Sequence, residues 1–369
     1  MGYYIIFMIM GFMLFGAMSY YYRNDRKVYT GYLALTSGAA VTISVIALSI
    51  GMFSETFDTE VWNGKVTGKE RDTVSCSHSY SCNCKSVQSC SGSGPNRSCS
   101  TSQSCDTCYD HAHDYDWDVH TTIGDQTIAR IDNQGVREPP RWTVIKANDP
   151  VAETHSFTNY IKAARNNVLN RQSTKISYAI PKYPEEVYDY YFIDRALSVD
   201  NAMPNLKLWS SEISKALIDL GTSKQVNLVL VFTKNPQEYA EQLNAAWLGG
   251  KKNDVIVVIG TQNAIKADWV EVLSWTKRED FKVQLRDAIM AVELAPVSTL
   301  QIVAATINHS FERRHMKEFE YLKYDIEPSE GFVITSFGLF GLPLIVFLFI
   351  NKRRNNYYNS SVSRFNKRK

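Results

Sequence analysis

The sequence predicts a membrane-anchored α+β protein with three transmembrane helices, a small β-rich cysteine-stapled domain and an α/β layered domain. Three observations carry this. Apolar stretches at residues 3–20, 29–53 and 331–350 contain no Asp, Glu, Lys or Arg. All seven cysteines fall between Cys76 and Cys108. Beyond residue 193, continuous apolar strands alternate with helical patterns.

The apolar stretches come first because they decide where the rest sits. A hydrocarbon core of about 30 Å needs roughly 20 apolar residues as a helix, and a helix satisfies its backbone internally in lipid. The link between the first two stretches carries Arg23, Arg26 and Lys27 against one acid, Asp25. The tail after the third carries Lys352, Arg353, Arg354, Arg364, Lys367, Arg368 and Lys369 with no acid. Basic residues near span ends stay cytoplasmic, and the two segments share a side in any three-span arrangement. The expected topology is therefore multi-pass in the inner (cytoplasmic) membrane, with the large middle region extracytoplasmic. The first stretch has neither the basic start nor the small-residue cleavage site of a signal peptide. Pro343 predicts a kink in the third span. The small residues of the second (Gly38, Ala39, Ala40, Ser44, Gly51) suit close packing on the first span or self-association as a homo-oligomer.

The implied organisation is a first transmembrane helix and basic cytoplasmic loop (1–28), a second transmembrane helix (29–53), a β-rich Cys/His-rich domain (54–150), a linker (151–192), an α/β domain (193–330), a third transmembrane helix (331–350) and a basic cytoplasmic tail (351–369). A net charge of +2 gives no support to a nucleic-acid partner. The expected partners are the membrane and envelope or membrane proteins.

The cysteine segment needs a staple, because so small a cluster cannot build a core. Two readings stay open. Cys82-Asn-Cys84 and Cys105-Asp-Thr-Cys108 can bring four thiolates around zinc, with His111 or His113 as substitutes. An extracytoplasmic compartment instead favours disulfides, and an odd count leaves one cysteine over. Cys90 and Cys99 flank a Ser/Gly/Asn-rich loop that they could close. No thioredoxin-like pattern surrounds Cys105 and Cys108. The acidic run Asp110, Asp114, Asp116 and Asp118, with its histidines, is a second candidate site whose simpler explanation is solvated surface.

The flanks read as strands. Residues 59–67 alternate, with Asn63-Gly64 as a turn signal. Residues 117–132 read as a hairpin turning at Gly124-Asp125. Residues 159–170 have helical spacing, and the tyrosine-rich stretch 178–191 reads as an extended linker or edge strand.

In the α/β region, helices are predicted over 204–220 (with Gly221 as C-cap), 237–248, 281–294 and 299–324. Residues 226–232 and 254–260 are continuous apolar strands, the pattern of a sheet covered on both faces. The block Glu238-Tyr-Ala-Glu-Gln-Leu-Asn-Ala-Ala-Trp-Leu-Gly-Gly-Lys-Lys-Asn-Asp-Val-Ile-Val-Val-Ile-Gly260 resembles the TPM-domain family, and the likeness extends over roughly 193–323. It implies a TPM-like fold outside the cytoplasm and a hard divalent ion, Ca²⁺ or Mg²⁺, at Asp194 and Asp254. Phosphatase activity in some members and assistance to membrane complexes are also implied. Residues 261–269 depart from the family's basic strand and Gly, which removes part of that site. The chain has no Gly-x-Ser-x-Gly, His-Glu-x-x-His or phosphate loop. The expected function is an extracytoplasmic TPM-like interaction or scaffold module, with a metal-dependent phosphatase as the alternative. The make-up suits a bacterial or phage-encoded envelope protein.

Overall fold

The computed structural model describes residues 2–22, 30–91, 98–164, 177–187 and 193–366. Along the chain, helices α1 (Gly2–Tyr21) and α2 (Thr30–Thr56) lead into strands β1 (Phe57–Val74), β2 (Ser79–Ser91), β3 (Ser98–Tyr109), β4 (Asp114–Thr121) and β5 (Gln126–Ile128). Then follow α3 (Pro140–Val144), β6 (Pro150–Thr158), α4 (Tyr160–Ala163), β7 (Ala196–Leu197), α5 (Leu206–Lys224), β8 (Asn227–Thr233), α6 (Glu238–Ala246), β9 (Asp254–Gly260) and β10 (Trp269–Ser274). The last elements are α7 (Asp280–Met290), α8 (Pro296–Ser310), a 3₁₀ segment Met316–Asp325 and α9 (Glu330–Asn366). The chain divides into two compact units. One holds Met1–Asp58, Ser156–Gln172 and His315–Lys369, the other Thr59–His155 and Ser173–Arg314.

In the first unit, Tyr3–Tyr21, Tyr32–Thr56 and Glu330–Arg353 are long and apolar enough to cross a membrane. Small residues let these helices close up. A Cβ on Gly51 would meet Phe332 at 2.7 Å, and one on Gly11 would meet Val41 Cγ2 at 2.3 Å. Ser44 Oγ donates to the Ser336 carbonyl at 3.0 Å, which keeps a buried hydroxyl satisfied. Ile5, Phe12, Leu35, Ile345 and Phe349 face outward, an apolar exterior suited to lipid. Pro343 lies inside α9, which runs on through the basic tail to Asn366. Arg23, Arg26 and Lys27 lie outside the described residues. Of the helix expected over 159–170, the structure shows α4, capped by Asn159, whose Oδ1 accepts from the Lys162 amide. Residues 165–170 lie outside the description.

Among the described residues, the second unit contains two four-stranded sheets and a two-stranded ribbon. The first sheet has the order β5-β4-β1-β6. Val66, Trp117, Val119, Ile128, Ile145 and Val151 form its core, with Trp142 edge-on to Trp117. The hairpin read from 117–132 is present as antiparallel β4 and β5. Asn63-Gly64 is not a turn. β1 runs straight through it, and the glycine serves close approach, since a Cβ there would meet Thr122 Oγ1 at 2.2 Å. Residues 151–158, read as the start of the linker, belong to β6.

The second sheet has the order β10-β9-β8-β7, with β7, β8 and β9 parallel and β10 antiparallel. Every residue of β8 and β9 is buried, because both faces are covered. Leu228, Leu230, Phe232, Val255, Val257 and Ile259 meet α5, α7 and α8. Val229, Val231, Ile256 and Val258 meet α6 and the extended segment bearing Tyr178, Ile180 and Tyr183.

Two further expectations give way to the structure. Gly221 is interior to α5, whose C-cap is Gln225 at φ 51. The glycine lets α5 approach β1, because a Cβ would meet the Asn63 carbonyl at 2.2 Å. The helix expected over 299–324 breaks after Ser310. Phe311 turns extended and packs on Phe281, while Arg313 pairs with the buried Glu60 at 2.9 Å. These tertiary contacts override a local helical pattern. β10 begins at Trp269, where the stretch 261–269 ends. Its Val270 and Val272 point inward.

Candidate functional site

Among the described residues of the second unit, three groups of side chains carry chemistry. The first is the ribbon formed by β2 and β3. Its antiparallel register sets Cys90 opposite Cys99 and Tyr80 opposite Cys108, with an irregularity between Cys82 and Lys85. Three disulfides cross it: Cys82–Cys108, Cys84–Cys105 and Cys90–Cys99. The closure of the Ser/Gly/Asn-rich loop by Cys90 and Cys99 is therefore present. Zinc at Cys82, Cys84, Cys105 and Cys108 is overturned, because a sulfur in a disulfide is not the thiolate that zinc requires. Nearly every residue of β2 is exposed. A bare two-stranded ribbon is marginal in water, so the covalent links supply its order, each worth about 3 kcal/mol for loops near this size.

The second group lies at the neck of that ribbon. Cys76 follows β1, His111 lies in the turn after β3, and Asp114 opens β4, opposite Val74 in the ladder. Cys76 is free of disulfide and buried. Its Sγ stands 3.7 Å from His111 Nδ1, which is 3.3 Å from Asp114 Oδ1. One ligand atom from each residue lies within 4.8 Å of the others. Asp114 is fully buried. Its Oδ2 accepts from the Ser77 amide at 3.1 Å and from Arg130 Nη1 at 2.8 Å. Its Oδ1 makes no well-formed hydrogen bond to the described residues. Burial works to raise this carboxyl, but the Ser77 N–H, the Arg130 guanidinium and the Cys76 thiol outweigh it and hold it well below the usual range. Arg130 also binds Asp116 at 2.7 Å. His113 is turned elsewhere, with Nε2 2.8 Å from the Tyr115 hydroxyl. Of the six ligands expected from sequence, only His111 joins this cluster. Cys76 was overlooked because it stands six residues before the paired cysteines. Asp114 was legible only as one member of an acidic run.

The third group contains Asp254, where the TPM resemblance implied a divalent ion. Asp254 opens β9 and is buried. Its Oδ1 accepts from Asn227 Nδ2 at 3.0 Å, and its Oδ2 from the Tyr183 hydroxyl and the Lys251 amide, both at 2.7 Å. Burial pushes this carboxyl up to about 6. Asn227 Oδ1 in turn accepts from Arg195 Nε and Asn63 Nδ2 at 3.3 Å each. Arg195 is buried and also donates to Asn63 Oδ1 and Ser214 Oγ. Burial lowers its guanidinium to about 10. Thus a buried cation and a buried carboxylate face each other through one amide. Asp194, by contrast, is exposed and precedes β7, which β8 separates from β9. Such an arrangement is a structural relay rather than a converging ion site, since Ca²⁺ wants roughly six to eight oxygens and Mg²⁺ an octahedron.

No protein-family model, no curated protein and no solved structure matches this chain.

Proposed function

We propose that the protein is a membrane-anchored interaction module whose second unit lies outside the cytoplasm and presents the disulfide-stapled ribbon to an envelope or membrane protein. The observation that carries this reading is the set of three disulfides on an exposed ribbon in a chain with three membrane-length apolar helices. Disulfides persist in oxidising compartments. Basic residues between the first two helices and after the third support the same orientation. The ribbon's surface is polar and repetitive in Ser, Thr and Gln. With two strands, it offers its partner main-chain edges of the kind used in strand addition. The TPM-like region serves in this reading as a binding scaffold. Asp254 commits both carboxylate oxygens to internal hydrogen bonds, which does not favour the phosphatase alternative.

The test is topological. A reporter fused after Lys369 should be active only in the cytoplasm, and one inserted between β2 and β3 only outside it. A cytoplasmic signal from the ribbon insertion would refute the proposal.

A further inference from the structure

We infer that Cys76, His111 and Asp114 form a transition-metal site of the zinc type at the neck of the ribbon. The site rests on its own residues and not on the role given to the ribbon. Zinc takes thiolate sulfur at about 2.3 Å, imidazole nitrogen at about 2.0–2.1 Å and carboxylate oxygen at about 2.0–2.2 Å in a tetrahedron. Those lengths make the S···N edge of the tetrahedron about 3.6 Å and the N···O edge about 3.4 Å. The observed separations are 3.7 Å for Cys76 Sγ to His111 Nδ1 and 3.3 Å for His111 Nδ1 to Asp114 Oδ1. Two of the three edges therefore already stand at ligand spacing, and the third, between Cys76 and Asp114, lies within 4.8 Å.

A second observation is independent of that spacing. Asp114 Oδ1 belongs to a fully buried carboxylate and, beyond the 3.3 Å approach of His111 Nδ1, has no hydrogen-bond partner among the described residues. Such an atom carries a desolvation cost that a cation would offset. The other oxygen is held by the Ser77 amide and Arg130, so Oδ1 is fixed as a single donor aimed at His111. Arg130 thereby performs the outer-shell orientation found around metal ligands. Cys76 is the cysteine left outside the three disulfides, and metal ligation keeps a thiol reduced in an oxidising compartment. Cys, His and Asp together suit a borderline ion and not Ca²⁺ or Mg²⁺. Three protein ligands leave the fourth position to water.

The placement gives the site a consequence. Cys76 precedes the ribbon and His111 and Asp114 follow it, so one ion would tie both of its strands to the start of β4.

The full-length chain, purified in detergent without a histidine tag and stripped by chelator, is titrated with Co²⁺. The expected result is a thiolate-to-cobalt charge-transfer band that saturates at one ion per chain and is erased by Zn²⁺. Cys76→Ser should abolish the band while non-reducing peptide mapping shows the three disulfides unchanged. Arg130→Gln should weaken cobalt affinity about 10–100-fold, as outer-shell changes do. A chain with one reduced thiol and no band overturns the site. So does a band that survives in Cys76→Ser, or Cys76 recovered in a disulfide between chains.

Discussion

Arg195→Ala is expected to destabilise the second unit by about 3–5 kcal/mol, the range for removing one partner of a buried charged network. Arg195 is buried and donates to Asn63, Asn227 and Ser214. Its loss would strip a donor from each of three buried oxygens and remove the buried cation nearest the Asp254–Asn227 pair. Urea unfolding of the detergent-solubilised chain, followed by tryptophan fluorescence, reads the change. The same network has a pH signature. The Asp254 carboxyl titrates near 6 in the fold against 3.8 ordinarily, so the native state holds a proton that the unfolded chain releases between those values. The stability this contributes is complete below about pH 4 and lost as pH rises through about 6, roughly 3 kcal/mol in all. Asp254→Asn removes that titration. Subtracting its stability curve from that of the wild type should leave a difference confined to this window. A flat difference would mean that Asp254 is not buried as described.

Trp247→Ala should cost about 3–5 kcal/mol, as large aromatic truncations do. Trp247 ends α6, is 8% exposed and stands edge-on to Tyr183 at 5.3 Å. Its Nε1 donates to the Pro181 carbonyl at 2.9 Å. The side chain therefore pins the extended segment 177–187 to the sheet, and its removal leaves both a cavity and an unpaired acceptor. A near-neutral effect in the same unfolding assay would show that α6 and this segment do not pack on β8 and β9.

What the sequence made legible followed from strong, local periodicity. The three apolar helices, the buried strands β8 and β9, helices α5 to α7 and the β4–β5 hairpin were all readable. Each announces itself through a run of one type or a turn residue at one place. The failures lie where long-range contact decides. Asn63-Gly64 and Gly221 looked like a turn and a cap, yet they serve one close approach between β1 and α5. The break after Ser310 depends on Phe281 and Glu60, far away in sequence. β10 has three inward residues in six, too short a signal to stand out beside β9.

The sites divide in the same way. The cysteine count forced a staple, but zinc and disulfide spacings overlap, so only the ladder register of β2 and β3 separates them. Cys76, His111 and Asp114 span 38 residues of numbering and meet because β1 and β4 pair at Val74 and Asp114. No linear motif encodes that meeting. Asp254 was singled out on resemblance, and its burial with Asn227 and Tyr183 explains its place without an ion.

The oxidation state of the ribbon in the living cell tests the extracytoplasmic placement most directly. Thiols are alkylated before lysis, and the full-length chain is then unfolded, alkylated a second time and mapped without reduction. An extracytoplasmic ribbon yields Cys82–Cys108, Cys84–Cys105 and Cys90–Cys99 as linked peptides, with Cys76 alone recovered as a thiol. Recovery of all seven cysteines as free thiols would place the ribbon in a reducing compartment and contradict the extracytoplasmic module.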